Sequence, residues 1–359
     1  MEEDRLLGAQ AAGVAASPKR GRFDEKLKFL PVAYVVVAML LLAGIYLHYH
    51  ISPLLSHTAG HLQMPDAAAA GEIRGLIQLS AFVPITVLLV ISYVRSILTH
   101  PGEIPDDPKW EYMPRDKPVA LPLSLQETKK SGERRHCKWC GKYKPDRCHH
   151  CRVCRTCILK MDHHCPWIYN CVGCFNYKFF ILLLFYSALD CHLIAWSMSE
   201  SVLRCVNIEQ TPFKEMFVIL FGECLALILS LLVTAFLTMH LWLIAKGLTT
   251  IEFCEKSLPK DGQLAERSMT SVYDVGVSGN FYAVLGSSVL LWLLPVGMPE
   301  GDGITFVCDE TCLTKDIETT SGIRRKTHQV AQRQRPLSYG SEELDQHRLG
   351  MNFVFFSET

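Results

Sequence analysis

"CKWCGKYKPDRCHHCRVCRTCILKMDHHCPWIYNC", residues 137–171, decides how the chain is read. Cys137/Cys140, Cys151/Cys154 and Cys154/Cys157 are CxxC pairs, the spacing at which a short turn places two thiolates on one ion. Few long aliphatic residues fall in the window (Ile158, Leu159, Met161, Ile168), too few to fold around an apolar core. Metal binding must then contribute most of its folding free energy. A structural zinc takes four Cys or His ligands in a closed tetrahedron, so two ions need eight. Eight cysteines together with the paired histidines exceed that number. The surplus matters, because a spare cysteine beside a histidine and an aspartate makes covalent chemistry available.

The rest of the chain says where this block works. Of 359 residues 49% are hydrophobic, and the mean hydropathy is +0.16. Soluble domains usually lie below zero. The formal net charge is zero, which argues against a nucleic-acid binder, since that would carry a basic excess. Nine of the 15 cysteines lie between Cys137 and Cys174. Clustered CxxC pairs read as metal binding in a reducing compartment, not as a secreted disulfide framework. Residues 1–28 are polar and basic, with no apolar run suited to a signal peptide.

Four segments carry the roughly 20 apolar residues needed to cross a bilayer: about 29–48, 76–98 (with Pro84 inside), 179–199 and 216–245. Buried helices of a soluble protein rarely run so long without charge. Counting Lys and Arg, residues 1–28 hold six and the 98–178 loop fifteen. The 49–75 loop holds Arg74 alone, and the 200–215 loop holds Arg204 and Lys214. The positive-inside rule therefore puts both termini and the large loop in the cytosol, where the clustered cysteines stay reduced. The expected fold is an α-helical integral membrane protein, with four transmembrane helices and a cytosolic cysteine-rich domain between the second and third. Its parts are an arm (1–28), helices 1 and 2 (29–98), the cysteine-rich domain (99–178, core 137–174), helices 3 and 4 (179–245), a membrane-associated C-terminal region (246–299) and a disordered tail (300–359). The short apolar run at 282–298 reads as a helix on the membrane or against the bundle rather than a fifth span.

At this point the residues resemble one family closely, the DHHC cysteine-rich-domain protein S-acyltransferases, or palmitoyltransferases. The likeness covers "CKWCGKYKPDRCHHC" through "CRTCILKMDHHCPWIYNCVGCFNYKFF". It extends to "LTTIEF", similar to the family's TTxE motif at Thr249, Thr250 and Glu252, and to "YDVGVSGNFYAVLG" around Asn280. The topology matches too. The resemblance implies two interleaved Cys3His zinc sites, Cys137, Cys140, His150 and Cys157 for one ion and Cys151, Cys154, His164 and Cys171 for the other. Cys165 is then free to be the nucleophile, with two structural zinc ions that do not activate water. Cys148 and Cys174 also remain, with packing or solvent-facing roles expected for Cys148 and none assigned to Cys174.

The resemblance also carries an expected mechanism. Cysteine suits thioester exchange because its thiolate forms readily and attacks carbonyls well. His163 would act as general base for Cys165, and Asp162 would orient the imidazole. Acyl-CoA is then the co-substrate, and cytosolic cysteines of membrane-associated proteins accept the acyl chain. Trp167 would line the mouth of an acyl cavity between the spans, Thr250 would buttress Asp162, and Asp190, ionisable in mid-span, would line that cavity and disfavour long chains. Lys138, Lys142, Lys144, Arg147, Arg152 and Arg155 would meet either the CoA phosphates or anionic lipid. His100-Pro101-Gly102 departs from the family's Asp-Pro-Gly, which leaves any role of that aspartate in doubt. Golgi or endoplasmic reticulum is the expected membrane, with the plasma membrane as the alternative. The rivals are a zinc-binding membrane scaffold, which needs no free thiol, and a metal transporter, which needs a polar pathway that these spans lack apart from Asp190, His192 and Glu223.

Overall fold

The computed structural model describes residues 28–56, 65–112, 127–129, 133–207, 211–257, 271–299 and 301–306. The expected arm (1–28) and tail (300–359) therefore lie almost wholly outside the described residues.

Among the described residues, runs rich in Leu, Val, Ile, Phe and Ala make four helices long and apolar enough to cross a membrane. The first span, Leu30–Leu55, consists of α1 (Leu30–Tyr46), one widened π turn (Leu47–Ile51) and α2 (Ser52–Leu55). The second lies within α3 (Pro65–Leu98), which continues through Pro84. The third is α4 (Tyr177–Asn207) and the fourth α5 (Phe213–Ala245). These helices outrun the apolar stretches because helical backbone bonding continues through their polar ends. In α4, for instance, Arg204 reaches back to Glu200 one turn earlier.

Burial shows how the four are arranged. Of the most apolar window of α4, 67% is buried, against 17%, 22% and 28% for the other three spans. So α4 is the central helix, and the others turn a broad apolar face outward, as lipid requires. Polar side chains join the helices within the span: the Ser197 hydroxyl donates to Tyr46 Oη at 2.9 Å, and His50 bonds both Ser201 (2.8 Å) and Gln78 (2.9 Å).

Between α3 and α4 the cysteine-rich block forms three two-stranded hairpins. They are β1 (His136–Cys137) with β2 (Lys142–Tyr143), β3 (His149–Cys151) with β4 (Thr156–Ile158), and β5 (His163–Cys165) with β6 (Asn170–Val172). Each pair is antiparallel. Small apolar clusters sit beside the thiols: Ile104, Trp110 and Leu159 around one group, Ile158 and Met161 around the other. Trp110 and Ile104 come from outside the cysteine window, which shows where part of its missing apolar core is found.

Asparagines fasten this block to the bundle. Asn170 donates to the carbonyls of Ser96, Ile97 and Thr99 (3.2, 3.1 and 3.0 Å), which caps the end of α3. Asn280, on α7 (Val277–Leu285), donates to the Ala245 carbonyl at the end of α5 and to Asp274. The 282–298 run is not one helix. α7 stops at Gly286 (φ +95°), and the chain then lies against α4 through bonds from Lys178 to the carbonyls of Leu291 (2.9 Å) and Val296 (2.8 Å). The departure at His100 is also explained. Its Nδ1 accepts from Gly102 N at 3.1 Å, closing the turn that an aspartate carboxylate would close.

Candidate active site

Strand alternation and hairpin register bring the metal-type ligands together. His150 faces Cys157 across β3–β4, and His164 faces Cys171 across β5–β6. Successive strand residues point to opposite sides, so His150 and its neighbour Cys151 serve different clusters. Cys137, Cys140, His150 and Cys157 form one group, and Cys151, Cys154, His164 and Cys171 the other, each with its ligand atoms within 4.8 Å of one another.

The distances fit zinc. Zn–S of about 2.3 Å and Zn–N of about 2.0–2.1 Å make the S–N edge of a tetrahedron about 3.5 Å. His150 Nδ1 lies 3.5, 3.3 and 3.8 Å from the sulfurs of Cys137, Cys140 and Cys157. His164 Nδ1 lies 3.7, 3.4 and 3.5 Å from those of Cys151, Cys154 and Cys171. The same alternation sends His163 and Cys165 to the side of β5 opposite His164. There Cys165, 4% exposed, joins the apolar cluster of Leu89, Tyr93, Phe180 and Leu184 from the membrane helices. The free thiol therefore sits where the cysteine-rich block meets the hydrocarbon-facing bundle.

Behind it stands a hydrogen-bonded set. Asp162 Oδ2 lies 2.7 Å from His163 Nδ1, and His163 stands on the same side of β5 as Cys165. Asp162 also accepts from Thr250 N (2.8 Å, at Oδ1) and from Thr250 Oγ1 (2.8 Å, at Oδ2). Thr250 opens α6 (Thr250–Ser257), so the carboxylate sits on a helix N-terminus, where free N–H groups favour an anion. Burial works against charge on Asp162, yet its hydrogen bond with His163 and the further donors hold its pKa below its ordinary value. Burial also works against charge on His163, but the hydrogen bond to Asp162 and the nearby Cys165 lift that imidazole to about 9. A stronger proton acceptor beside a thiol favours the thiolate.

TTxE has a physical reading. Thr249 caps α6: its Oγ1 accepts from Glu252 N (3.2 Å), while Glu252 Oε2 accepts from Thr249 N (3.0 Å), a reciprocal capping box. Glu252 also takes Arg147 Nε at 2.7 Å and Nη2 at 2.8 Å. Arg147 donates again to the Gly247 carbonyl (2.9 Å), and its guanidinium lies 4.7 Å above the Tyr273 ring. So Arg147 is a buried brace and does not join the basic surface on which it was expected. Lys142 is committed as well, to Asp106 and the Ile104 carbonyl.

The other expected residues take varied places. The Trp167 side chain is 53% exposed and lies 6.0 Å from the Tyr34 ring of α1, while its carbonyl accepts from Tyr93 Oη at 2.9 Å. Asp190 is buried far down α4, where it accepts from Thr86 of α3 at 3.0 Å. His192 bonds the Ala188 carbonyl instead. Cys148 is fully buried beside the first cysteine cluster, and Cys174 is buried under Gly303. Sequence reasoning missed Arg147–Glu252, Asn170 and His240. The T-x-x-E capping pattern was the one available signal, and it pointed to Glu252.

Fold and site together define a four-span membrane protein whose two zinc-type clusters hold a reactive-type cysteine against the bundle. A family model for DHHC palmitoyltransferase matches residues 130–257. Palmitoyltransferase ZDHHC20-B of Danio rerio is 35% identical over 250 residues, 66% of this chain and 76% of that protein. Palmitoyltransferase ZDHHC15A of Danio rerio is 38% identical over 200 residues, 54% of this chain and 60% of that protein. Palmitoyltransferase ZDHHC2 of Homo sapiens is 30% identical over 339 residues, 89% of this chain and 86% of that protein. The chain belongs to the DHHC palmitoyltransferase family.

Proposed function

We propose that this chain moves a long-chain acyl group from acyl-CoA to Cys165, and from there to cysteines of membrane-associated proteins at the cytosolic face. In the first step the Cys165 thiolate attacks the thioester carbonyl carbon. The new S–C bond forms, the C–S bond to CoA breaks, and the proton taken by His163 goes to the departing CoA thiolate. In the second step a substrate thiol attacks the Cys165 thioester, its proton passes to His163, and Cys165 is regenerated. Asp162, held by Thr250, orients the imidazole and balances its charge. The two zinc ions, held by the two Cys3His clusters, supply rigidity rather than chemistry.

One observation carries this reading: once each cluster has four ligands, Cys165 is left over on the same side of β5 as His163, packed among apolar side chains of the bundle. Trp167, exposed near Tyr34, lines the approach of the acyl chain. Asp190, bonded to Thr86, marks the far end of its path and sets a length limit. The lysine and arginine distribution supports a cytosolic site, and endomembranes are the proposed location.

The test is acyl loading of the purified, detergent-solubilised full chain with labelled palmitoyl-CoA, beside Cys165→Ser. Hydroxylamine-labile label on the parent, absent from a Cys165→Ser protein that keeps its zinc, is the expected result. A folded, zinc-loaded parent that takes no label across several acyl lengths overturns the proposal and favours a scaffold.

A further inference from the structure

His240, on α5, is a fully buried histidine that neither the clusters nor the Asp162–His163–Cys165 set uses. Its Nδ1 lies 3.1 Å from the Tyr177 hydroxyl of α4. Phe180 and Phe236 enclose its ring edge-on, at centroid distances of 5.2 and 4.6 Å. Its Nε2 is buried with no hydrogen-bond partner among the described residues. Such a group calls for an explanation, because an unpaired buried donor or acceptor is costly.

Its neighbours supply one. His240, Asp162 and His163 bring nitrogen and carboxylate atoms within 4.8 Å of one another, and the two imidazole rings lie 5.8 Å apart. Nδ1 is taken by Tyr177, so Nε2 is the nitrogen free to face this pair. If the phenol donates to Nδ1, neutral His240 carries its proton on Nε2, and that N–H dipole faces the carboxylate. The other tautomer would turn a bare lone pair toward an anion. Asp162 already accepts from Thr250 N, Thr250 Oγ1 and His163 Nδ1, which leaves about one of its roughly four acceptor positions open.

We propose that His240 is a positioning residue for acyl transfer: its Nε2–H, fixed by Tyr177, faces Asp162 and holds the Asp162–His163 pair in line with Cys165. The inference rests on the acyltransferase reading above. Its consequence is specific, because His240 acts on the reactivity of the thiol and not on binding of the acyl donor.

The experiment compares the full chain with His240→Leu, His240→Gln and Tyr177→Phe, with Cys165→Ser and His163→Ala as references. Single-turnover loading by labelled palmitoyl-CoA gives a maximal rate and a half-saturating concentration. Alkylation of Cys165 by iodoacetamide reports thiol reactivity with no acyl donor present. Zinc content and thermal midpoint are measured on every sample. His240→Leu should lower both the maximal loading rate and the alkylation rate at least tenfold, with the half-saturating concentration within twofold of the parent. His240→Gln, which keeps an N–H near the same place, should recover to within about threefold. Tyr177→Phe should fall between them.

Parental rates for His240→Leu overturn the proposal. So does a His240→Gln protein as slow as His240→Leu at unchanged midpoint and zinc, since packing would then be the cause. Should His240→Leu lose its zinc or fold, Tyr177→Phe decides, and parental rates there also overturn it. A parent that does not load, or a His163→Ala protein as fast as the parent, defeats the acyltransferase reading itself, and the role of His240 with it.

Discussion

Replacing Glu252 by Ala tests the brace that holds the zinc-type block to the helix contacting Asp162. Arg147 and Glu252 form a bidentate ion pair with side chains 5% and 10% exposed. Removing one partner leaves the other charged and shielded from water, which typically costs about 3–5 kcal/mol. Some of that is moderated here, because Arg147 keeps its bond to the Gly247 carbonyl and its place over Tyr273. The capping box is halved as well, since Thr249 N loses its carboxylate. A loss near the lower end, about 3 kcal/mol, is therefore expected. At about 2–4 °C per kcal/mol for domains of roughly 150–250 residues, the midpoint should fall by roughly 6–12 °C. The assay is thermal inactivation of acyl loading in detergent, read beside tryptophan fluorescence. The double variant Arg147→Met/Glu252→Leu should recover at least half of the loss, because it leaves no orphaned charge. A Glu252→Ala midpoint within about 2 °C of the parent refutes the reasoning, as does a double variant that falls as far as the two single losses added together.

The same geometry sets three further outcomes. The raised pKa of His163 stabilises the folded state through its charged form, fully below about pH 6.5 and progressively less as pH rises through about 9. The difference in midpoint between the parent and His163→Gln should therefore be larger at pH 6.5 than at pH 9.5, and an equal difference would contradict it. Metal analysis should find two zinc ions per chain in the parent, Cys148→Ser and Cys165→Ser, and a loss of about one in Cys140→Ala or Cys154→Ala; loss of zinc from Cys165→Ser would place that thiol among the ligands. Asp190→Ala and Asp190→Tyr should each change the ranking of C14, C16 and C18 acyl-CoA in loading competition, whereas an unchanged ranking in both would remove Asp190 from the acyl path.

Much of this architecture was legible because it rests on composition and short spacing. Four apolar runs and CxxC pairs are local signals, and each has a single physical meaning in lipid or around a metal. The ligand partition was less accessible. Spacing alone leaves His149 or His150, and His163 or His164, open as ligands, and it was the family resemblance that chose between them. The reason is hairpin register: His150 stands across from Cys157 and His164 from Cys171, so alternation turns each neighbouring histidine away. Arg147 was read as a surface charge because nothing within a few residues reveals its partner, 105 positions further on. Asn170 carries no signal of its own in the sequence, although it caps the end of a helix that closed some 70 residues earlier. His240 lies inside the apolar run 216–245 and was passed over when the polar span residues were counted. Only packing of α4 beside α5 brings it next to Asp162.

These long-range contacts have a common logic. On the proposed function, a thiol that meets a lipid-borne substrate has to lie at the edge of the bundle, yet a buried carboxylate and imidazole there need partners that membrane helices rarely supply. The solution joins two different supports. From the cysteine-rich side, a strand held through His164 presents His163 and Cys165 together. From the C-terminal side, α6 presents its first N–H and the Thr250 hydroxyl to Asp162. Arg147 and Glu252 tie those supports to each other, which is why a glutamate two residues beyond the contact to Asp162 belongs to the same motif as the threonine that makes it. A charge pair there costs desolvation, but it adds a directional tie between two elements that also meet through Ile251 packed on Ile158 and Met161 and through Thr250 on Asp162. Weakening the brace while sparing both supports, as Arg147→Lys does by giving up the planar fork, should then slow loading of Cys165 more than it lowers zinc content. If zinc and loading fall in proportion instead, the brace serves folding of the cysteine-rich block alone, and alignment of Asp162 with His163 owes nothing to it.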